Sequence, residues 1–89
     1  MAVYSIHYDL NGSNKDYTGL QEAIKNCGSV WWHYLDSTWL VSTNLEANAI
    51  YEKLKPHLDK DDHALIIGVT SDYSGWLPEK AWVWIRKYI

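Results

Sequence analysis

The sequence predicts one α+β domain, residues 1–89, with the element order β-α-β-β-α-β and a further helix at its C-terminal end. Two observations support this prediction. Apolar side chains alternate with polar ones along residues 4–10, as they do in a strand with two different faces. Residues 29–42 are rich in β-branched and aromatic side chains on both sides of a short polar turn, which is typical of a hairpin.

The first strand is predicted over residues 3–10. Because successive side chains of a strand point to opposite faces, one face carries Val3, Ser5, His7 and Asp9. The other face carries Tyr4, Ile6, Tyr8 and Leu10.

The first helix is predicted to begin near Asp16 or Thr18, because Thr18-x-x-Gln21 has the spacing of a capping box. Four side chains with helical spacing form its apolar stripe: Tyr17, Leu20, Ile24 and Cys27. Gly28 stands where a left-handed residue often ends a helix.

The second and third strands are predicted over residues 29–35 and 38–42, with a tight turn at Asp36 and Ser37. Thr43-x-x-Glu46 has the spacing of a second capping box and opens the next helix. Pro56 is expected to bend or stop that helix.

The fourth strand is predicted over residues 63–70, after an acidic cluster at residues 59–62 that indicates a solvated loop. Pro78 is well placed at the first turn of the last helix.

Right-handed crossovers turn this order into a four-stranded antiparallel sheet with two helices on one face, which is the ferredoxin-like fold. The other face carries His7 and either Trp31 or Trp32, and it stays bare unless something covers it. A bare aromatic face predicts a partner, and a second copy related by a two-fold axis is the simplest one. The C-terminal helix is the alternative cover.

Composition narrows the class of protein. A domain of this size buries only about 60–65% of the surface of its unfolded chain, so an aromatic core or oligomerisation is expected. Six Trp and seven Tyr suit both.

The single cysteine, and the lack of a leader pattern at the start, predict a cytoplasmic protein, and no apolar run could span a bilayer. The net charge of −3 opposes strong non-specific nucleic-acid binding.

Tyr8-Asp9 at the end of an apolar strand, a helix, Gly28 and a hairpin containing Ser37 stand in an order that resembles the small CRISPR adaptation nucleases, the Cas-two proteins. Residues 15–17 and 32–41 also resemble a group of short bacterial and phage proteins often called SinR-like. The resemblance covers most of the chain. It implies a ferredoxin-like homodimer in which Asp9 of both protomers holds one Mg²⁺ or Mn²⁺ ion.

The chain departs from that pattern in its acidity and in its aromatic C-terminal helix, and only Lys15 follows Asp9 closely. Asp9 can equally be a turn former that bonds to backbone N–H groups. His7 is expected at an interface, with a supporting role near Asp9 as the alternative.

The hairpin offers the remaining candidates for a binding or interface surface, namely Trp31, Trp32, His33, Ser37 and Trp39. Aromatic side chains can stack nucleobases, but residues 29–43 contain no Lys or Arg, so core or dimer packing is the favoured interpretation. Ser37 can line a dimer seam or simply form the turn.

Two functional hypotheses result. The first is a homodimeric interaction module with a protein, nucleotide or nucleic-acid partner, in phage defence or counter-defence. The second is a metal-dependent endonuclease that uses Asp9 from each protomer.

Overall fold

The computed structural model describes residues 2–11 and 17–89. These residues form, in order, β1 Ala2–Asp9, α1 Thr18–Lys25, β2 Val30–His33, β3 Thr38–Thr43, α2 Ala47–Leu54, β4 His63–Gly68 and α3 Glu79–Tyr88. The four strands make one antiparallel sheet in the order β2-β3-β1-β4. Strand β3 separates β1 from β2, so the first β-α-β unit is split, and the predicted ferredoxin-like α+β fold is confirmed.

The main core lies between the sheet and helices α1 and α2. At its centre Ile6 of β1 stands opposite Trp39 of β3 and Ile66 of β4. The predicted stripe of α1 and the apolar side of α2 cover this face, with Leu20, Ile24, Cys27, Ile50 and Leu54 all buried. Side-chain direction repeats every 2 residues in a strand and every 3.6 residues in a helix. The apolar sides that these periods define therefore pack against each other, as the sequence predicts.

The second face of the sheet is covered only in part. Val3 and Ser42 point away from α1 and α2, yet both are buried. Ala81 and Ile85 of α3 are buried as well and lie outside the main core cluster. This burial agrees with the alternative prediction that the C-terminal helix covers part of the second face. Neither α3 nor any other described helix has the length and apolar character needed to cross a membrane.

Gly28 is needed for a close approach of two backbones. No described residue has a positive φ, so the prediction of a left-handed Gly28 is wrong. A Cβ on Gly28 would overlap the carbonyl oxygen of Ser42 and would lie 2.9 Å from Cγ1 of Val41. A glycine here lets the chain after α1 pass directly against β3.

Both predicted capping boxes are wrong. Thr18 is the first residue of α1, and the side chain of Tyr17 before it makes no cap hydrogen bond. Thr43 instead ends β3, where its hydroxyl donates to the carbonyl oxygen of Cys27 at 2.5 Å and accepts from the N–H of Leu45 at 3.1 Å. Glu46 is the N-cap of α2.

Two prolines mark helix boundaries. Pro56 lies in the short 3₁₀ turn Lys55–His57 that ends α2, in agreement with the sequence. Pro78 is the N-cap of α3, just before the first turn.

Lys15 and the predicted helix start Asp16 fall among the residues that the structure does not describe.

The acidic segment before β4 is more than a solvated loop, because Asp62 is only 9% exposed. Its carboxylate accepts hydrogen bonds from the N–H of Asn11 at 2.8 Å, the N–H of Asp59 at 2.8 Å and the hydroxyl of Tyr17 at 2.9 Å. Asp62 thereby fastens the end of β1 and the start of α1 to the start of β4. The prediction of a solvated loop is wrong for this one residue, whereas Asp59, Lys60 and Asp61 are exposed.

Candidate functional site

Four side chains, some polar and some apolar, lie together at the open end of the second sheet face, where β1 ends and β4 begins. Asp9 of β1 stands directly opposite His63 of β4, and His7 stands opposite Leu65. These residues, with Tyr8 and Ala64, line a shallow depression of about 280 Å³. The sequence places His7 and Asp9 on one face, and the structure adds His63, whose position depends on the register of β4.

Asp9 is the exposed last residue of β1. No hydrogen bond or ion pair joins its carboxylate to another residue of the described ranges. The N–H of Asn11, a natural donor for a turn-forming Asp9, bonds instead to Oδ1 of Asp62. Within the described residues, Asp9 therefore presents its carboxylate oxygens to solvent.

His7 is held by hydroxyl groups on both sides of its ring. Its Nε2 lies 2.6 Å from Oγ of Ser5, and its Nδ1 lies 3.3 Å from Oγ1 of Thr38. One nitrogen of a neutral imidazole donates and the other accepts, so both contacts can be satisfied at once. This arrangement fixes the ring beside Asp9 and leaves neither nitrogen free to bind a metal ion.

The three hairpin tryptophans do not form one surface. Trp39 is 1% exposed and belongs to the core, where its Nε1–H donates to the hydroxyl of Tyr8 at 3.0 Å. Trp31 stands on the same face at the outer edge of β2, with its ring centroid 5.2 Å from that of Trp39. Trp32 points to the second face and stacks on Tyr34 at 5.8 Å. Of the two residues considered for the second face, Trp32 is the one that lies there.

His33 and Ser37 have local contacts in the hairpin. The ring of His33 stacks on Trp39 with centroids 3.8 Å apart, and its Nε2 lies 3.1 Å from the carbonyl oxygen of Asp36. The predicted turn is present, because the N–H of Thr38 donates to the carbonyl oxygen of Leu35 at 3.2 Å. Ser37 is exposed, and its carbonyl oxygen accepts from the N–H of Tyr8 at 3.2 Å, which extends the pairing of β1 with β3.

The described part of this chain does not supply Asp9 with a full set of metal ligands. Among residues 2–11 and 17–89, no group of three His, Cys, Asp or Glu side chains is placed to hold an ion. Mg²⁺ is commonly bound through one or two carboxylates together with water and substrate phosphates. The exposed Asp9 fits that pattern as one carboxylate of such a set.

Cys27 is a packed core residue. It is 4% exposed, and its thiol donates to the carbonyl oxygen of Ala23 at 3.2 Å. Burial raises the pKa of the Cys27 thiol, and the nearby positive charge of Lys53 lowers it by a smaller amount. A protonated thiol is a poor nucleophile, so this environment disfavours a reactive role.

The two edges of the sheet differ in how they are protected. Edge strand β2 has four residues, and Nζ of Lys25 lies 5.1 Å from the ring centroid of Trp31. Edge strand β4 has six residues, and it exposes 54% of Leu65 and 49% of Ile67. Lysine side chains and short length are common protections of an edge strand. Only β2 has them, and sequence periodicity alone did not identify β4 as the open edge.

No known protein family, curated protein sequence or solved structure matches this chain. The choice of function therefore depends on two surfaces of the molecule itself. One is the open end of the second sheet face around Asp9, and the other is the free edge of β4.

Proposed function

We propose that this protein is an interaction module that works as a homodimer. The observation that carries the proposal is the exposure of Leu65 and Ile67, two large apolar side chains on an edge strand. Exposed apolar side chains beside unpaired backbone groups favour association with another chain. A domain of 89 residues also has a small core for its surface, and a second copy would add buried area.

The resemblance to Cas-two proteins supports the same oligomeric state and gives the proposal its setting, which is phage defence or counter-defence in the cytoplasm. The module would bind a protein or nucleotide partner through the surface that the dimer leaves exposed. Trp76, which is 99% exposed, is one candidate contact on that surface.

Sedimentation equilibrium at protein concentrations between about 1 and 100 µM tests the homodimer. This range covers a dimer with a micromolar Kd, which corresponds to a binding free energy of about −8 kcal/mol. We expect a mass of two chains at the upper end of this range. A mass of one chain, 10.4 kDa, at every concentration would refute the proposal.

A metal-dependent endonuclease is the second candidate, and it is favoured by the solvent-exposed carboxylate of Asp9 beside His63. Two copies of Asp9 could share Mg²⁺ or Mn²⁺ if their carboxylates came within about 6 Å, because Mg²⁺–oxygen bonds are about 2.0–2.1 Å long. The ion would activate water and stabilise charge on a phosphoryl group.

Cleavage of RNA and DNA with Mg²⁺ or Mn²⁺ tests this candidate directly. Asp9→Asn should abolish the cleavage because it removes the anionic ligand, and Asp72→Asn, at another exposed carboxylate, should leave it unchanged. Equal cleavage by wild type and Asp9→Asn, or no cleavage by wild type, would exclude the endonuclease.

A further inference from the structure

We infer that the dimer forms by antiparallel pairing of β4 with β4 of a second copy, centred on Ile66, so that two four-stranded sheets become one continuous sheet. This inference rests on the homodimer proposed above and specifies the surface that it uses. It follows from the direction of the backbone groups in β4, the register that they permit, and the charges around them.

The alternate residues of β4 direct their backbone groups to opposite sides. The N–H of Val69 donates to the carbonyl oxygen of Val3 at 2.9 Å, which continues the ladder between β1 and β4. In an antiparallel ladder, every second residue exchanges hydrogen bonds with the same neighbour. Ile67 and Leu65 therefore bond to β1, whereas the N–H and C=O groups of Ala64, Ile66 and Gly68 point to the open edge.

Pairing centred on Ile66 uses this open edge fully. Ile66 then bonds to Ile66 of the second copy, and Ala64 bonds to Gly68 in both directions, which gives about six hydrogen bonds. A register shifted toward the start of β4 would have to use the N–H of Asp62, which already donates to the carbonyl oxygen of Asp59 at 3.0 Å. The Ile66-centred register needs no residue outside β4.

The side chains agree with this register. Leu65 of one copy stands opposite Ile67 of the other, so that four half-exposed apolar side chains cover one another on the second face. Because His63 is the only titratable residue in β4, the paired strands bring no charged Lys, Arg, Asp or Glu side chains of β4 together.

Helix α2 lies beside β4, with a groove between them that Ala47, Asn48 and Tyr51 line from the helix. A two-fold axis perpendicular to the sheet makes the two copies of α2 antiparallel. Opposed helix dipoles favour this arrangement.

This geometry separates the two Asp9 side chains. Strands β1 and β4 are neighbours, so the two copies of β1 are three strand spacings apart, which is about 14 Å. A shared ion requires carboxylates within about 6 Å of each other. The dimer through β4 therefore cannot form the metal site of the endonuclease candidate.

A charge-exchange experiment by sedimentation equilibrium tests the register. Leu65→Glu and Ile67→Lys change side chains that are half exposed in the single chain, so both variants should fold. Each alone places a charge against an apolar side chain in the dimer, and we expect its Kd to rise about tenfold or more. Mixing the two variants sets the introduced glutamate of one copy against the introduced lysine of the other, so the mixture should dimerise more tightly than either variant.

Val83→Lys is the matched control, because Val83 is 53% exposed on α3 and its replacement should leave the dimer unchanged. A wild-type dimer that both β4 variants leave intact would overturn the β4 interface while keeping the homodimer. Weakening by both variants without recovery in the mixture would overturn the Ile66-centred register. A monomeric wild type would refute the homodimer itself.

Discussion

Replacement of Asp62 by alanine tests how strongly one buried carboxylate holds the fold together. The change removes the acceptor for Asn11, Asp59 and Tyr17. Hydrogen bonds to a charged group contribute about 1.5–3 kcal/mol each, but two of these three donors are backbone N–H groups that can turn to water. We therefore expect Asp62→Ala to lower the free energy of unfolding by about 2–4 kcal/mol, well below the simple sum.

Urea denaturation followed by tryptophan fluorescence measures this loss, and the slope against urea should stay constant if only the native contacts change. The matched control is Asp61→Ala, since Asp61 is the exposed neighbour of Asp62 and its carbonyl oxygen, which accepts from Asn11 at 2.7 Å, survives the substitution. We expect a change within about 0.5 kcal/mol for that control. Equal and small effects of the two substitutions would refute the role given to Asp62.

Three further predictions concern the core. Gly28→Ala should cost about 1–3 kcal/mol in a urea titration, because its Cβ overlaps the carbonyl oxygen of Ser42; a change below about 0.5 kcal/mol would contradict the close approach. Tyr8→Phe should cost about 0.5–1.5 kcal/mol by removing the acceptor of the Trp39 indole N–H, and an unaltered unfolding midpoint would argue against that bond. Because the pKa of Cys27 is raised in the folded protein, the thiol of the unfolded chain loses its proton at a lower pH than the folded one. The free energy of unfolding should therefore fall as the pH rises above about 8.5. Cys27→Ala should lack this fall, and identical pH profiles of the two proteins would contradict the prediction.

The sequence was informative where periodicity decides which side of an element is buried. Ile6 on β1 and the stripe through Leu20 and Ile24 on α1 follow from periods of 2 and 3.6 residues, and the structure buries all three. The order of elements then leaves few topologies, because crossovers are right-handed. Fold class was therefore predictable from local patterns alone.

The features that the sequence did not predict all depend on contacts between distant residues. Asp62 looks like one of several charges in a loop, and only the approach of Asn11 and Tyr17 makes it a buried acceptor. Gly28 was recognised as important, but for a left-handed backbone and not for its contact with β3. Local motifs do not specify which strand passes close to a glycine or which loop meets a carboxylate.

The candidate site was predictable from the sequence only in part. Alternation places His7 and Asp9 on one face, whereas the position of His63 opposite Asp9 depends on the register of β4. The open edge of β4 could not be recognised before the strand order was known, since the same apolar run would suit a central strand.

Amide hydrogen exchange along β4, measured by NMR at several protein concentrations, tests the central claim most directly. In the dimer, the N–H groups of Ala64, Ile66 and Gly68 should exchange slowly, and dilution below the Kd should release them. The N–H groups of Leu65 and Ile67 bond to β1 and should stay protected at every concentration. Rapid exchange of Ala64, Ile66 and Gly68 in a sample shown to be dimeric would contradict an interface through β4.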